Sequence, residues 1–548
     1  MTKDYYLNDS GQFIIEDYQQ KKNFASFLPG IAGKFGIPIW AFYVNRGQGI
    51  ASFGSSNKDN AIMEFYPANK SYQNVATKGF RTFIKLIDEA EVYEAFRNVD
   101  ENIKSRMIIA PDSLKIVEEN SELGLKTTVN YYILPNEDFG ALVREVEIEN
   151  TGDQQRELEV LDGMPILIPF GIENAALKEV SQTISAWAMV DSFESKTPFY
   201  KLRASAEDEA EVKEMTAGNF YISLLKDSEN ELLTPLVDPD VIFAEKSSLE
   251  TAPGFERKEL ADYQGEQILE NRFPSAMAAT KKKLKAGEKL ELASVFGNLA
   301  DQERLSEIKE RVLKTGYLEE KRNESEMVHN YYADHIFTVS GSKELDAYSR
   351  QTFMDNLLRG GFPLSLGQNE KKTYHIFSRK HGDLERDYND FLLEPTYYSQ
   401  GNGNFRDVNQ NRRSDLYFNP EVKRDNLKLF ADLIQADGYN PLVIEGSKFY
   451  LDNSESLEKV MDQLQGEAAD KLRQRLTEPF TPGEIAVFID NHELKLKGEL
   501  TDFIDLIVEE AASWTEAKFG EGYWIDHWTY NLDLIENYLA LYPEKKEK

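Results

Sequence analysis

The chain has 548 residues, of which 41% are hydrophobic and 12% aromatic, with a formal net charge of −32 and no cysteine. That length exceeds a single hydrophobic core. The acidity excludes the basic stripe that nucleic acid or an anionic membrane would need, and the lack of cysteine excludes disulfides, thiolate metal sites and a thiolate nucleophile. The opening Met1-Thr2-Lys3-Asp4-Tyr5-Tyr6 carries no apolar signal segment, and no apolar run reaches membrane-spanning length. A cytoplasmic protein is therefore expected, and the sequons Asn69-Lys70-Ser71 and Asn323-Glu324-Ser325 read as chance matches.

From the N-terminus to residue 298 the texture is strand and turn. Leu125, Thr127, Val129, Tyr131 and Ile133 alternate with more polar neighbours, which predicts a strand. Val146 and Ile148 alternate with glutamates, Asn150-Thr151-Gly152-Asp153 reads as a turn, and Leu158 and Val160 continue beyond it, which predicts a hairpin with one wet face. Repeated over residues 1–298, this pattern favours a large antiparallel β-sandwich over a parallel sheet. Phe35 to Gly54 combines apolar strands with a glycine-rich turn around Arg46. Gly47 and Gly49 lack the further glycine, lysine and helix of a phosphate loop, so a structural hairpin is expected there. Asn45, Arg46, Gln48 and Asn57-Lys58-Asp59-Asn60 are nonetheless polar enough to reach a neighbouring cleft.

Leu305, Ile308 and Val312, ending at Gly316, predict an amphipathic helix, and residues 299–339 read as a helical linker. From residue 340 to 548 the periodicity is mostly helical. Leu427, Phe430, Ala431 and Ile434 share a face, as do Leu457, Val460, Met461 and Leu464, and Leu500, Phe503, Ile504 and Ile507. Thr481-Pro482-Gly483-Glu484 has the form of a capping box with proline at the first helical position.

Two stretches mix hydrogen-bonding side chains with aromatics. Tyr397 to Asp415 holds Asn402, Asn404, Asn409, Gln410 and Asn411 beside Arg406 and Asp407. An adjacent guanidinium fork and carboxylate can bind two vicinal sugar hydroxyls while aromatic rings cover the C–H face. The bland alternative is a tight Gly401-Asn402-Gly403-Asn404 turn followed by a structural ion pair. Gly520 to Asn531 places Trp524 and Trp528 around Asp526 and His527. The tryptophans suit sugar stacking and Asp526 suits orienting a hydroxyl or an imidazole; the alternative is a capped helix start with core aromatics. His492-Glu493 lacks the second histidine of a zinc motif, because Leu496 stands at that place, so no metal site is expected.

Tyr43 to Gly49, Ser378 to Tyr388 and Gly401 to Arg413 resemble the oligosaccharide phosphorylases of glycoside hydrolase family 94, and more closely the long β-glucan phosphorylases of families 149 and 161. The resemblance extends over nearly the whole chain. It implies a β-sandwich, a helical linker, an (α/α)6 barrel and a C-terminal β domain. It also implies phosphorolysis of a β-glucoside with inversion to α-glucose 1-phosphate, inorganic phosphate being co-substrate and no other cofactor being needed. By the same resemblance Arg406 and Asp407 bind the glycone, with Gln410 nearby. The family's general acid lies in a Trp-Asn-Asp motif that occurs nowhere in this sequence. Residues 340–548 offer about half the helices of a complete barrel.

The expectation is therefore the N-terminal part of an inverting β-glucan or cello-oligosaccharide phosphorylase, a glycosyltransferase-type enzyme that is inactive without a downstream polypeptide completing the barrel. Its ligand would be a β-linked gluco-oligosaccharide, bound through Arg406, Asp407, Gln410, Asn404, Trp524 and Asp526, and Asp526 is the best internal substitute for the acid. A partial barrel would leave apolar stripes such as Ile504, Ile507 and Leu539 without partners. The alternatives are a non-catalytic carbohydrate-binding protein and an inverting hydrolase that uses Asp407 and Asp526 as its carboxylate pair.

Overall fold

The structure, a computed structural model, describes residues 4–88, 91–180, 182–205, 214–380, 390–465, 469–520 and 524–546. The chain forms two compact units. A β unit holds the chain to Ala32 and Pro38–Asn330, and a C-terminal unit holds Gly33–Ile37 and most of the chain from Tyr331 onward.

The β unit is built on two large sheets in which every pairing between strands is antiparallel. In the eleven-stranded sheet, Ser113–Asn120, Leu125–Ile133, Gly140–Asn150, Lys289–Leu299 and Gly218–Lys226 run side by side in that order. The five-stranded sheet is centred on Ala276–Leu284, Arg156–Met164 and Arg81–Leu86. Period-2 side chains of both sheets meet in one core, with Ile116, Val129 and Val146 from the first and Ile84, Leu158 and Val160 from the second.

The expected hairpin around residues 150–153 does not form. Gly140–Asn150 pairs with Leu125–Ile133 and Lys289–Leu299, whereas Arg156–Met164 pairs in the other sheet. The reason is Asn150, which is buried. Its amide donates to Gln154 O at 2.7 Å and Leu284 O at 3.0 Å and accepts from Gly152 N at 3.1 Å, so the chain arches between sheets instead of folding back within one. Trp40–Val44 and Ile50–Gly54 do form the expected hairpin.

Helix α1 (Leu305–Leu313) buries Leu305, Ile308 and Val312 against Val143, Phe220 and Val295 of the large sheet and Phe139 just before it. It is therefore part of the β unit's own packing. The boundary between the two units falls within α2 (Tyr317–Ala333).

The C-terminal unit contains α3 (Lys343–Gly360), α4 (Phe405–Arg412), α5 (Asp425–Asp432), α6 (Ser454–Met461), α7 (Pro482–Asn491), α8 (Leu500–Glu510) and α9 (Ile525–Leu541), with further helices between them, among them Ala469–Thr477. Of the three helical stripes read from the sequence, that of Leu500, Phe503, Ile504 and Ile507 lies wholly on α8, whereas the other two begin on α5 and α6 and run past their ends, Ile434 lying beyond α5 and Leu464 in a short strand after α6. The capping box is present: Thr481 Oγ1 accepts Glu484 N at 3.3 Å, and Thr481 N donates to Glu484 at 2.7 Å. The helices are interrupted by a sheet in which Val443–Tyr450 pairs with Gly403–Asn404 and Ala512–Lys518, and by the hairpin Phe362–Leu366 with Lys372–Ile376; the helical reading contained neither. Ile504 and Ile507 are buried, contrary to the expectation that they lack partners. On α9, Leu539 is half-buried while Leu532 and Ile535 are exposed. Among the described residues no helix is long and apolar enough to cross a membrane.

Candidate functional site

The polar segment 401–413 divides into an inward and an outward set, and helical geometry decides which is which. Phe405 and Val408 of α4 pack against Phe430, Ile444 and Leu534. Asn409 and Arg412 face the same way and are buried. Arg406, Asp407, Gln410 and Asn411 then fall on the outer face.

Much of the amide chemistry is engaged in holding the backbone. Asn402 accepts from Leu392 N at 3.0 Å and donates to Asp390 O at 3.0 Å. Asn409 donates to Asn531 Oδ1 at 2.6 Å, which ties α4 to α9, and Asn411 donates to Asp407 O at 2.6 Å. Gly401 and Gly403 have no positive φ. They are needed for space: a Cβ on Gly401 would lie 1.8 Å from Leu392 O, and one on Gly403 would lie 2.3 Å from Val408. Close packing, not an unusual turn conformation, accounts for these glycines.

What remains is a compact outward group. Arg406 Nε meets Asp407 Oδ1 at 3.3 Å, the arginine side chain being 51% exposed and the carboxylate 17%. Asn404 Nδ2 donates to the other carboxylate oxygen at 3.2 Å. Gln410 is exposed on the next turn. On α9, His527, Asn531 and Leu534 point inward at i, i+4 and i+7. The His527 ring packs on Phe405 with centroids 4.9 Å apart. Burial pushes this imidazole below its ordinary value. Asp526 and Asp407 oppose that shift and Arg406 reinforces it. Trp524 and Trp528 stand exposed at the start of α9.

The structure thus brings together Arg406, Asp407 and Asn404, all named from the sequence, on the helix that packs against α9, which carries Asp526 and, through its ring contact with Phe405, His527, singled out in the sequence only as a neighbour of Asp526. Glu521–Tyr523 lie outside the described residues. So does His381–Tyr388 of the second family-like segment; of the rest of that segment, Ser378 and Arg379 are buried. Burial pushes the Arg379 guanidinium down to about 10.

The two arginines at the end of α4, Arg412 and Arg413, are committed elsewhere. Arg412 Nε donates to Gly360 O at 2.5 Å. Arg413 pairs with Asp533, stacks 5.0 Å from the Tyr530 ring and accepts Asn537 Nδ2 on its carbonyl at 2.8 Å. Asp415, pushed up to about 7 by burial, faces His375 Nε2 at 2.9 Å and accepts from Asn426 at 2.9 Å. This buried pair escaped the sequence reading because His375 and Asp415 are forty residues apart with no local signal. Glu394 was missed because only the fold buries it. Burial pushes its carboxyl up to about 7, and its Oε2 is buried without a partner.

The first family-like segment is structural within the β unit. Asn45 donates to Tyr18 O and Lys22 O, both at 3.0 Å, and accepts from Phe24 N at 3.0 Å. Arg46 donates to Asn45 O at 2.6 Å and Lys21 O at 3.1 Å. Gln48 is buried beside Thr82 and Arg144. Asn57 caps the turn of Lys58–Asn60 by accepting from Asp59 N at 3.0 Å.

No protein-family model matches the chain, and no curated protein sequence matches it. Similar solved structures include a human-microbiome protein assigned as a kojibiose phosphorylase, at 9% identity and TM-score 0.23, covering 63% of this chain and 32% of that one. A family 92 inverting mannosidase from Bacteroides thetaiotaomicron stands at 11% and 0.32, covering 79% and 49%. A family 36 α-galactosidase from Geobacillus stearothermophilus stands at 9% and 0.22, covering 53% and 40%. All three are glycoside-active enzymes by name, and this chain spans between about a third and a half of their lengths. Likenesses this weak assign neither a substrate nor a mechanism to this chain.

Proposed function

We propose that the outer face of α4 and the start of α9 bind a neutral saccharide, a β-linked gluco-oligosaccharide in the reading that the family resemblance suggests. The observation that carries this is the outward Arg406–Asp407 pair on α4, which the Phe405–His527 ring contact joins to the start of α9, where Trp524 and Trp528 stand exposed. Arg406 and Asp407 adjoin on one helix, so their ion pair ties no two elements together. With a single 3.3 Å contact and a half-exposed arginine, that pair is worth about 0–1 kcal/mol. A hydrogen bond from a ligand to either charged group is worth about 1.5–3 kcal/mol, enough to open the pair. Arg406 then donates to one hydroxyl and Asp407 accepts from its neighbour. Asn404 holds the carboxylate, Gln410 reaches a further hydroxyl, and Trp524 supplies a stacking face.

In the finer form of the proposal this is the glycone site of an inverting β-glucan or cello-oligosaccharide phosphorylase. Residues 1–298 are then its β-sandwich domain, 299–339 its linker and 340–548 the opening part of its (α/α)6 barrel. The general acid and the phosphate ligands are supplied by a further polypeptide. The family's Trp-Asn-Asp is absent, and Arg412 and Arg413 are engaged with Gly360 and Asp533. Inorganic phosphate is the co-substrate of that assembly, without other cofactors, in the cytoplasm.

A second reading, direct inverting hydrolysis by Asp407 and Asp526, draws on the packing of α4 and α9, which carry these two carboxylates, through the Phe405–His527 ring contact. Incubating the purified chain with cello-oligosaccharides, with and without phosphate, tests these readings. Saccharide binding without turnover is expected. Glucose 1-phosphate formed by the chain alone, and lost in Asp526→Asn, would make Asp526 the acid. Phosphate-independent hydrolysis lost in both Asp407→Asn and Asp526→Asn would establish the second reading.

A further inference from the structure

The β unit carries a cleft of about 500 Å³ that the α4–α9 site does not use. Its walls are the turn Phe193–Ser195, the start of α1 with the turn before it, and the chain at Met215–Thr216. Thr197, Lys201 and Leu305 are buried in its lining. The volume falls in the range of small-ligand pockets and accommodates one or two sugar rings.

The lining is rich in hydroxyl and amide groups. Gln302 Nε2 donates to Ser192 Oγ at 2.7 Å, and Ser195 Oγ donates to Ser192 O at 2.7 Å and so accepts from Thr197 Oγ1 at 2.7 Å. Each hydroxyl oxygen keeps further accepting capacity beyond these bonds. Lys201 is fixed by Met215 O at 2.9 Å and Asp191 at 3.3 Å, two partners for an ammonium that carries three donors. Met215 and Leu305 add apolar surface. The turn that presents the serines is held in a costly backbone conformation: Ser192 at φ 57° and Lys196 at φ 58° are both left-handed without being glycine. Such strain persists only where surrounding contacts fix it, and it concentrates at ligand sites.

Charge selects the ligand class. Lys201 and Lys309 are outnumbered by Glu214, Asp301 and Glu303, and Lys201 already has a carboxylate partner. An anion would meet net repulsion, while among the described residues no cluster of carboxylates or histidines could hold a metal ion. A neutral polyol satisfies hydroxyls, an amide and one ammonium proton without adding charge. We infer that this cleft is a second saccharide site, accessory to the one on the C-terminal unit and taking a mono- or disaccharide.

The test uses the full chain labelled with 13C in its methionine methyl groups, the Met215 resonance being identified by its loss in Met215→Leu. Glucose, mannose, galactose and cellobiose are titrated separately, with inorganic phosphate as the anionic probe. At least one sugar is expected to shift Met215 saturably, and phosphate is expected not to. Ser306→Trp, an exposed position on the rim, should weaken that shift tenfold or more. Thr216→Trp on the opposite wall should do the same and serves if the first variant melts early. Asp407→Ala should leave the Met215 titration unchanged, which separates this cleft from the α4–α9 site. No shift with any sugar, a shift with phosphate alone, or an undiminished shift in a folded rim variant would overturn the inference.

Discussion

Replacing Arg144 tests how the two sheets of the β unit are joined. Arg144, on Gly140–Asn150, is fully buried and grips Asp162 of the other sheet in bidentate fashion, Nη2 to Oδ1 at 2.7 Å and Nε to Oδ2 at 3.1 Å. The same guanidinium donates to Gln48 Oε1 at 2.6 Å, to Thr82 Oγ1 at 3.0 Å and to the Tyr131 hydroxyl. Arg144→Met keeps most of the volume and strands Asp162, which is 3% exposed. Removing one partner of a buried pair costs about 3–5 kcal/mol. Gln48→Ala removes a neutral partner and should cost about 1–3 kcal/mol. Arg144→Met with Asp162→Leu removes both charges and should recover most of the loss, since an apolar replacement of a buried pair is often near neutral. Calorimetric melting of the full chain reads this as a fall in the β unit's transition of about 10 °C for the single variant. An Arg144→Met protein within about 1 kcal/mol of wild type, or a double variant worse than the single, would refute the role given to this network.

Three further outcomes rest on particular contacts. The Glu394 carboxyl moves from its ordinary 4.5 to about 7 in the folded protein through burial. The folded chain then holds a proton that the unfolded chain releases between those values, so its contribution is full below pH 4.5 and is lost as pH rises through 7. Glu394→Gln should flatten the fall in melting temperature between pH 5 and pH 8 by an amount equivalent to about 1–3 kcal/mol; an unchanged slope contradicts the assignment. Gly401→Ala should lower stability by about 1–3 kcal/mol through collision with Leu392 O, and a neutral result in thermal unfolding would show that the backbone yields there. A chain ending at residue 298 lacks Leu305, Ile308 and Val312, leaving Phe139, Val143 and Phe220 bare. It should aggregate in size-exclusion chromatography where a chain ending at residue 330 stays monodisperse, and equal behaviour of the two would count against α1 as part of this core.

Local chemistry with a strong period was readable in the sequence. The α8 stripe and the Thr481 capping box needed only side-chain spacing and cap preference. What escaped depended on distant partners. Nothing near Asn150 says that its amide will meet Leu284 O and send the chain to another sheet. Val443–Tyr450 is bulged at its pairing with Ala512–Lys518, which breaks the alternation that marks a strand. At the candidate site the density of amides around Arg406 was legible, but the division between inward Asn409 and outward Gln410 required the axis of α4. His375 and Asp415, or Lys201 with Ser192 and Gln302, become sites only through the fold.

The central claim is saccharide binding at α4 and α9, and fluorine NMR of the chain carrying 5-fluorotryptophan at its five tryptophans addresses it most directly. Replacing Trp524 by phenylalanine identifies its resonance, which is then followed while cellotetraose is added to wild type, Arg406→Ala and Asp407→Ala. The predicted result is a saturable Trp524 shift, weakened about 10- to 100-fold in each variant for the loss of one charge-assisted hydrogen bond, with melting temperatures unchanged. A Trp524 resonance indifferent to cellotetraose, or one that titrates identically in all three proteins, would contradict it.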